Sequence, residues 1–259
     1  RYSTISFLSD YGLEDEFVGI VRSVIRSIVP DVAVIDITHA IAAHDVRAGG
    51  LALARSAQYL CPGVVLAVVD PGVGSSRRSI AVEVGDGFSV LVGPDNGVLA
   101  PAVAMVGGAT SAYELTNTEY HLPSPGPTFA GRDIFAPVAA HLCAGVPLVE
   151  LGTPLDPGEL MPGVLPLSRV EGESIVCEVL WVDRFGNLQL NVDPDELEPL
   201  GPKIRIRYAN GHRNAERATS YADVRPGSVG LVVDSYGLVS IAADRGSAAD
   251  ELRLHAGSE

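Results

Sequence analysis

The sequence predicts an α/β protein: an N-terminal, mainly parallel-sheet α/β domain followed by a smaller C-terminal antiparallel β-barrel domain. Three observations carry that expectation. Short apolar runs alternate with an amphipathic stretch in the order strand, helix, strand, helix, strand, which implies right-handed crossovers and a parallel sheet. Prolines at 154, 157, 162 and 166 then form a dense, stiff stretch. Beyond it, the pattern changes to short alternating strands with little helix, as in a small barrel or sandwich. The expected divisions are 1–152, a linker over 153–168, and 169–259.

Each element has a local reason. Ser3 to Leu8 alternates as a strand and ends in Ser9-Asp10-Tyr11-Gly12. Phe17, Val18, Ile20, Val21, Val24, Ile25 and Ile28 form one helical stripe, stopped by Pro30. Val32 to Ile37 is a second strand leading to Thr38-His39, and Asp45 is placed to cap a helix running to about Tyr59. Val64 to Val69 is a third strand, short and rich in valine, which suits burial on both faces. Ile80 to Val84 and Phe88 to Val92 read as a hairpin around Gly85-Asp86-Gly87. A short helix follows from about Val98, and another spans about Ile134 to Ala144. Five strands are expected in the last third: Ser174 to Val182, Leu188 to Val192, Lys203 to Tyr208, Val229 to Val233 and Leu238 to Ala242.

Composition bounds the function. With 47% hydrophobic and 19% charged residues, the 259-residue chain has the make-up of a packed protein. Eighteen Lys and Arg against 32 Asp and Glu leave a net charge of −14, which disfavours nucleic acid or an anionic membrane as partner. A cationic small molecule would suit that charge. Cys61, Cys143 and Cys177 form neither a metal pattern nor a disulfide framework, so free thiols in a reducing cytoplasm are expected. Neither a signal peptide nor a membrane-spanning run is recognised, and a cytoplasmic protein is expected.

The chemistry is expected at one edge. The three N-terminal strands run out at Asp10, Thr38-His39 and Asp70, and ligands of open α/β sheets bind beyond the carboxyl ends of strands. Asp70 opens Asp70-Pro71-Gly72-Val73-Gly74-Ser75-Ser76-Arg77, where glycines let backbone approach a ligand. The same residues would also make an ordinary tight turn with a capping Asp. His39 and His44 either touch a ligand or cap and solvate their loop. Gly72-Val73-Gly74-Ser75-Ser76-Arg77 starts a dinucleotide fingerprint but ends it in arginine. The phosphate-binding loop, the serine-hydrolase elbow and HExxH are absent. Neither metal nor organic cofactor is expected.

Five motifs in order resemble one family: Phe7-Leu8-Ser9-Asp10-Tyr11-Gly12, Val69-Asp70-Pro71-Gly72-Val73-Gly74, Gly93-Pro94-Asp95-Asn96-Gly97, Phe129-Ala130-Gly131-Arg132-Asp133-Ile134-Phe135 and Asp183-Arg184-Phe185-Gly186-Asn187. Together they resemble the S-adenosylmethionine (SAM) hydrolases, or SAM hydroxide adenosyltransferases, relatives of the SAM-dependent fluorinase and chlorinase. The resemblance implies a homotrimer binding SAM between the N-terminal domain of one subunit and the C-terminal domain of the next. It also implies displacement of L-methionine from C5′ by water or hydroxide, giving adenosine, with SAM as substrate and not cofactor. Carried over by position, Asp15 holds the ribose hydroxyls, Asp10 is a further substrate-binding position, Asn187 reads the adenine edge, Phe129 lines the pocket, and the Gly131 backbone approaches C5′. Asp183 and Ser235 take the methionine ammonium and carboxylate, with Tyr236 adding contacts. Asp70 and Arg77 match two members of a water-positioning Asp-Arg-His triad.

Ala130 departs from the pattern, for the family has histidine there. A single His-to-Ala change within intact flanks is the simplest account, and an attenuated enzyme is expected. Two other readings stand beside hydrolysis. One is a SAM-dependent halogenase, disfavoured because Asp70 would repel a halide; the other is a SAM- or adenosine-binding protein with little turnover.

Overall fold

In the computed structural model, which describes residues 2–259, β1 (Thr4–Ser9) is buried along its whole length. It leads into α1 (Phe17–Ile28), which buries Val18, Val21 and Ile25 from the expected stripe. β2 (Ala33–Thr38) pairs parallel with β1. Asp45 caps α2 (Val46–Ala57), its Oδ1 accepting from the Ala48 N–H at 2.8 Å. β3 (Val64–Val68) returns parallel to β1 on its other side. The first crossover therefore steps one way from β1 and the second steps back across it. Right-handed connections then put α1 and α2 on opposite faces. The order β2-β1-β3 creates a switch point between the carboxyl ends of β1 and β3, where doubly wound sheets hold their ligands.

β4 (Ser79–Val84) and β5 (Ser89–Pro94) form the expected hairpin, and β5 pairs parallel with β3. After α3 (Ala100–Met105) come β6 (Ala109–Glu114), α4 (Ala136–Ala144) and β7 (Thr153–Leu155). They complete a seven-stranded sheet, β2-β1-β3-β5-β4-β6-β7, whose last three pairings are antiparallel. β6 and β7 were not anticipated. Thr153–Leu155 lies inside the proline-dense stretch expected as linker, yet it pairs with β6 along one edge of the sheet. The core lies between the sheet and helices α1 and α4, on Ile5, Phe7, Leu66 and Val68 of the strands.

The chain divides into two units, Arg1–Leu165 and Pro166–Glu259. The second begins with the hairpin β8 (Arg169–Glu171) and β9 (Ser174–Val176). Its main sheet contains β10 (Val179–Val182), β11 (Leu188–Leu190), β12 (Lys203–Tyr208), β13 (Gly211–Ala218), β14 (Val229–Val233) and β15 (Val239–Ala243). They pair in the order β10-β11-β15-β14-β13-β12 and curl into half a barrel, with α5 (Ala248–Leu252) after them. One pairing departs from the antiparallel expectation: β13 and β14 are parallel. The ten residues between them, Thr219 to Ser228, include a short helical turn and form a crossover that a tight hairpin cannot make.

Candidate active site

Asp70 lies just past the end of β3, and the chain turns back there so that Arg77 meets it. The guanidinium grips the carboxylate as a fork: Nε donates to Oδ1 at 2.8 Å and Nη2 donates to Oδ2. Nη1 donates to Ser79 Oγ at 2.6 Å, and the Phe135 ring lies 5.2 Å from the guanidinium carbon. Both charged side chains are largely withdrawn from solvent, 6% exposed for Asp70 and 12% for Arg77. A bidentate pair of this kind fixes position as well as charge. The turn is held by Gly74, whose φ is +78° and where a Cβ would stand 2.9 Å from the Pro127 carbonyl oxygen. Asn96, from Gly93-Pro94-Asp95-Asn96-Gly97, donates to the Val69 carbonyl at 2.8 Å and ties that loop to the end of β3.

At the end of β1, Asp10 Oδ2 accepts from the His44 N–H at 2.9 Å, and the Asp10 N–H donates to the Val68 carbonyl at 3.4 Å. The two strand ends that carry Asp10 and Asp70 are thus joined across the switch point. Tyr11 comes next, its ring 5.7 Å from both Phe17 and Phe129. Burial, with Asp10 and Asp70 adding to it, pushes the Tyr11 phenol well above its usual range, so it stays protonated. Asp15, in contrast, is exposed in the bend before α1.

Phe129-Ala130-Gly131 enters α4 through one π-helical turn, Gly131–Phe135, in which the Ala136 N–H reaches back to the Gly131 carbonyl. Gly131 is required by contact: a Cβ there would lie 2.1 Å from the Tyr11 hydroxyl. Ala130 is buried, 7% exposed. Beside it lies a cavity of about 500 Å³, whose lining also includes Arg77, Ser79, His121, Pro127 and Asp133. His121 carried no signal in sequence; its Nε2 is buried without a hydrogen-bond partner, and burial lowers its pKa. Asp133 is held by its neighbour Arg132 at 2.6 and 3.1 Å.

The second unit holds a separate polar group. Asp183 organises the β10–β11 turn: Oδ1 accepts from the Phe185 and Asn187 N–H groups at 2.8 and 2.9 Å, and Oδ2 from Asn187 Nδ2 at 2.8 Å. Asn187 is buried. Gly186 has φ +80° and sits where a Cβ would strike Ser247 Oγ at 2.2 Å. In the β14–β15 turn, Asp234, which the motif reading passed over, accepts from the Tyr236 and Leu238 N–H groups, from Gln189 Nε2 and from Ser240 Oγ. Ser235 and Tyr236 stand exposed on the turn that Asp234 builds.

Two family models cover most of the sequence: the SAM hydroxide adenosyltransferase N-terminal domain matches residues 5–152 and the C-terminal domain matches 177–259. The chain belongs to the SAM hydroxide adenosyltransferase family. It is 46% identical over 253 residues to the (R)-S-adenosyl-L-methionine hydrolase of Salinispora tropica, covering 98% of this chain and 95% of that protein. A fluorinase of Actinopolyspora mzabensis is 30% identical over 221 residues, covering 76% and 74%. A crystal structure of an uncharacterized conserved protein from Thermotoga maritima superposes with a TM-score of 0.90 at 36% identity, covering 98% and 97%. Within this family member, the fold brings Asp10, Asp70, Arg77, Phe129, Ala130 and Gly131 around one edge of the first unit. It brings Asp183 and Asn187 together in the second. Asp15, Ser235 and Tyr236 are not gathered with them and stand exposed. Among the described residues, no cluster of His, Cys, Asp and Glu is suited to a metal ion, and no helix is long and apolar enough to cross a membrane.

Proposed function

We propose that this chain hydrolyses SAM by in-line attack of water at C5′, releasing adenosine and L-methionine. The observation that carries the reading is the Asp70–Arg77 fork, set at the switch point beside Asp10. The sulfonium already departs as a neutral thioether, so the leaving group needs neither an acid nor a metal. What limits the reaction is the nucleophile, a weak neutral water that must lie opposite the C5′–S bond. Each Asp70 oxygen keeps a lone pair beyond the one given to Arg77, and one of these accepts from the water and orients it. The oxygen–C5′ bond forms as the C5′–S pair withdraws to sulfur, and the water proton passes to Asp70 or to solvent. Arg77 holds the carboxylate in place through the step.

Other roles follow the family pattern. Asp15 serves the ribose, with Asp10 a further substrate-binding position, Asn187 serves the adenine, and Asp183, Ser235 and Tyr236 the methionine end. A homotrimer in the cytoplasm completes the reading. A retained carboxylate at Asp70 disfavours a halide nucleophile, which agrees with the greater likeness to a hydrolase than to a fluorinase. The Ala130 methyl can neither donate nor accept, so turnover is attenuated and binding without rapid turnover is the second reading.

Incubation with SAM, followed by chromatography for adenosine and methionine in equal amounts, is the test. A 5′-halo-adenosine that appears only with added chloride or fluoride would replace hydrolysis with halogenation. SAM held tightly without adenosine over hours would leave a binding protein.

A further inference from the structure

The polar group buried behind the switch point has no part in the mechanism above. β1 and β2 run parallel with Leu8 opposite Thr38, which brings Ser9 beside His39 one residue further on. Ser9 Oγ is hydrogen-bonded to His39 Nδ1 at 2.7 Å, whereas His39 Nε2 lies 3.1 Å from Asp36 Oδ1 without a hydrogen bond to it. Arg22 pairs with the other Asp36 oxygen. Ser9 is 0% exposed and His39 is 5% exposed, with the Phe7 ring edge-on at 4.6 Å.

Ser, His and Asp in sequence suggest a nucleophilic triad, but the geometry rejects one. A nucleophilic serine bonds Nε2 and is open to substrate, with the carboxylate on Nδ1. Here the ring nitrogens are reversed and the hydroxyl is sealed. The group instead works on backbone. With the ring neutral, the carboxylate's charge near Nε2 favours the proton there, although Nε2 makes no hydrogen bond, and Nδ1 accepts from the Ser9 hydroxyl. That fixes the Ser9 oxygen so that a lone pair faces the Tyr11 N–H at 3.3 Å. The His39 carbonyl accepts from the Gly12 N–H at 2.8 Å. His39 therefore holds both ends of Tyr11-Gly12 beside Asp10, and Tyr11 carries the position onward to Phe129 and Gly131.

We propose that His39 is a positioning residue that acts through Ser9 to set the Asp10–Gly12 turn for SAM. The proposal rests on the hydrolase reading for its activity arm. Two amides separate it from a purely structural role. An asparagine at 39 places an acceptor near Nδ1 and keeps the Ser9 bond, whereas a glutamine reaches the Asp36 side and loses it. His39→Asn, His39→Gln and Ser9→Ala are compared in the full chain by SAM kinetics, by thermal midpoint and by amide hydrogen exchange at Tyr11 in ligand-free protein.

His39→Gln and Ser9→Ala are expected to lower kcat/KM and to speed Tyr11 exchange by about tenfold each, the worth of one hydrogen bond. His39→Asn stays within about threefold of the parent in both, although its midpoint falls as far as that of His39→Gln. Equal loss in the two amides, tracking the midpoint, overturns the proposal, as does parent-like exchange in His39→Gln. A parent that makes no adenosine overturns the hydrolase reading instead, and the exchange measurement still decides the positioning claim.

Discussion

Two residues at the reacting edge carry opposite expectations. Asp70 gives both oxygens to Arg77 and is nearly closed to solvent, so its replacement by asparagine keeps the shape but removes the anion. Asp70→Asn should leave SAM affinity close to the parent and depress adenosine formation by about 10²- to 10⁴-fold. Calorimetry and single-turnover kinetics check both halves, and unchanged turnover would reduce Asp70 to a turn residue. Ala130 is the converse case. Its backbone, φ −59° and ψ −28°, is helical and accepts any L side chain, and a cavity of about 500 Å³ lies beside it. Ala130→His should raise the rate of adenosine formation by roughly ten- to a thousandfold at nearly constant SAM affinity. A gain confined to tighter binding would remove an imidazole at that position from the chemistry. The sequence exposed both positions because their flanking motifs are distinctive, but it could not expose Ser79, His121 or Tyr11. These become part of the site only through folding: Ser79 by its bond to Arg77, His121 through a shared cavity, and Tyr11 by filling the space that Gly131 leaves.

Among the elements, legibility followed the apolar pattern of the sequence. β1, β3 and α1 were plain in the sequence because their apolar residues are the core, and Asp45 was visible as a cap because its side chain has one local job. β6 and β13 gave no such signal. Ala109-Thr110-Ser111-Ala112-Tyr113-Glu114 and Gly211-His212-Arg213-Asn214-Ala215-Glu216-Arg217-Ala218 are mostly polar, and they become strands by pairing on both sides. The Ser9–His39–Asp36 group was equally hidden, since it depends on the register of two strands 30 residues apart. It has a consequence for the pH dependence of stability. Burial, with Arg22 adding to it, lowers the His39 pKa from its usual 6.5 to about 4. The unfolded chain then binds more protons than the folded one between those values. Stability from this residue is complete above pH 6.5 and is lost as pH falls toward 4, by up to about 3 kcal/mol. His121 and His141 shift in the same direction, also by burial. Urea denaturation at pH 4.5 and 7 should show a drop that shrinks in His39→Asn; an unchanged drop would place the proton uptake elsewhere.

At the scale of the whole molecule, the proposed chemistry is assigned to the first unit and the proposed adenine and methionine contacts to the second, and that makes those two separable. The first unit has its own core and carries Asp70 and Arg77; the second has another core and carries Asp183 and Asn187. SAM bears a sulfonium and an ammonium against one carboxylate, so it approaches a chain of net charge −14 as a cation. General attraction of that kind is screened by salt, whereas a hydrogen-bonded contact inside a site is screened far less. If Asn187 and Asp183 bind substrate, Asn187→Ala and Asp183→Asn should each weaken SAM by about tenfold or more, the worth of one lost buried hydrogen bond. That loss should be the same at 50 mM and 500 mM NaCl. Turnover at saturating SAM should fall much less, in contrast to Asp70→Asn, which keeps affinity and loses turnover. Titration calorimetry at the two salt concentrations, paired with saturation kinetics, makes the comparison. Near-parent affinity in both second-unit variants, with intact folding by circular dichroism, would mean that the first unit alone holds the substrate. Asp183 would then be no more than the residue that builds the β10–β11 turn.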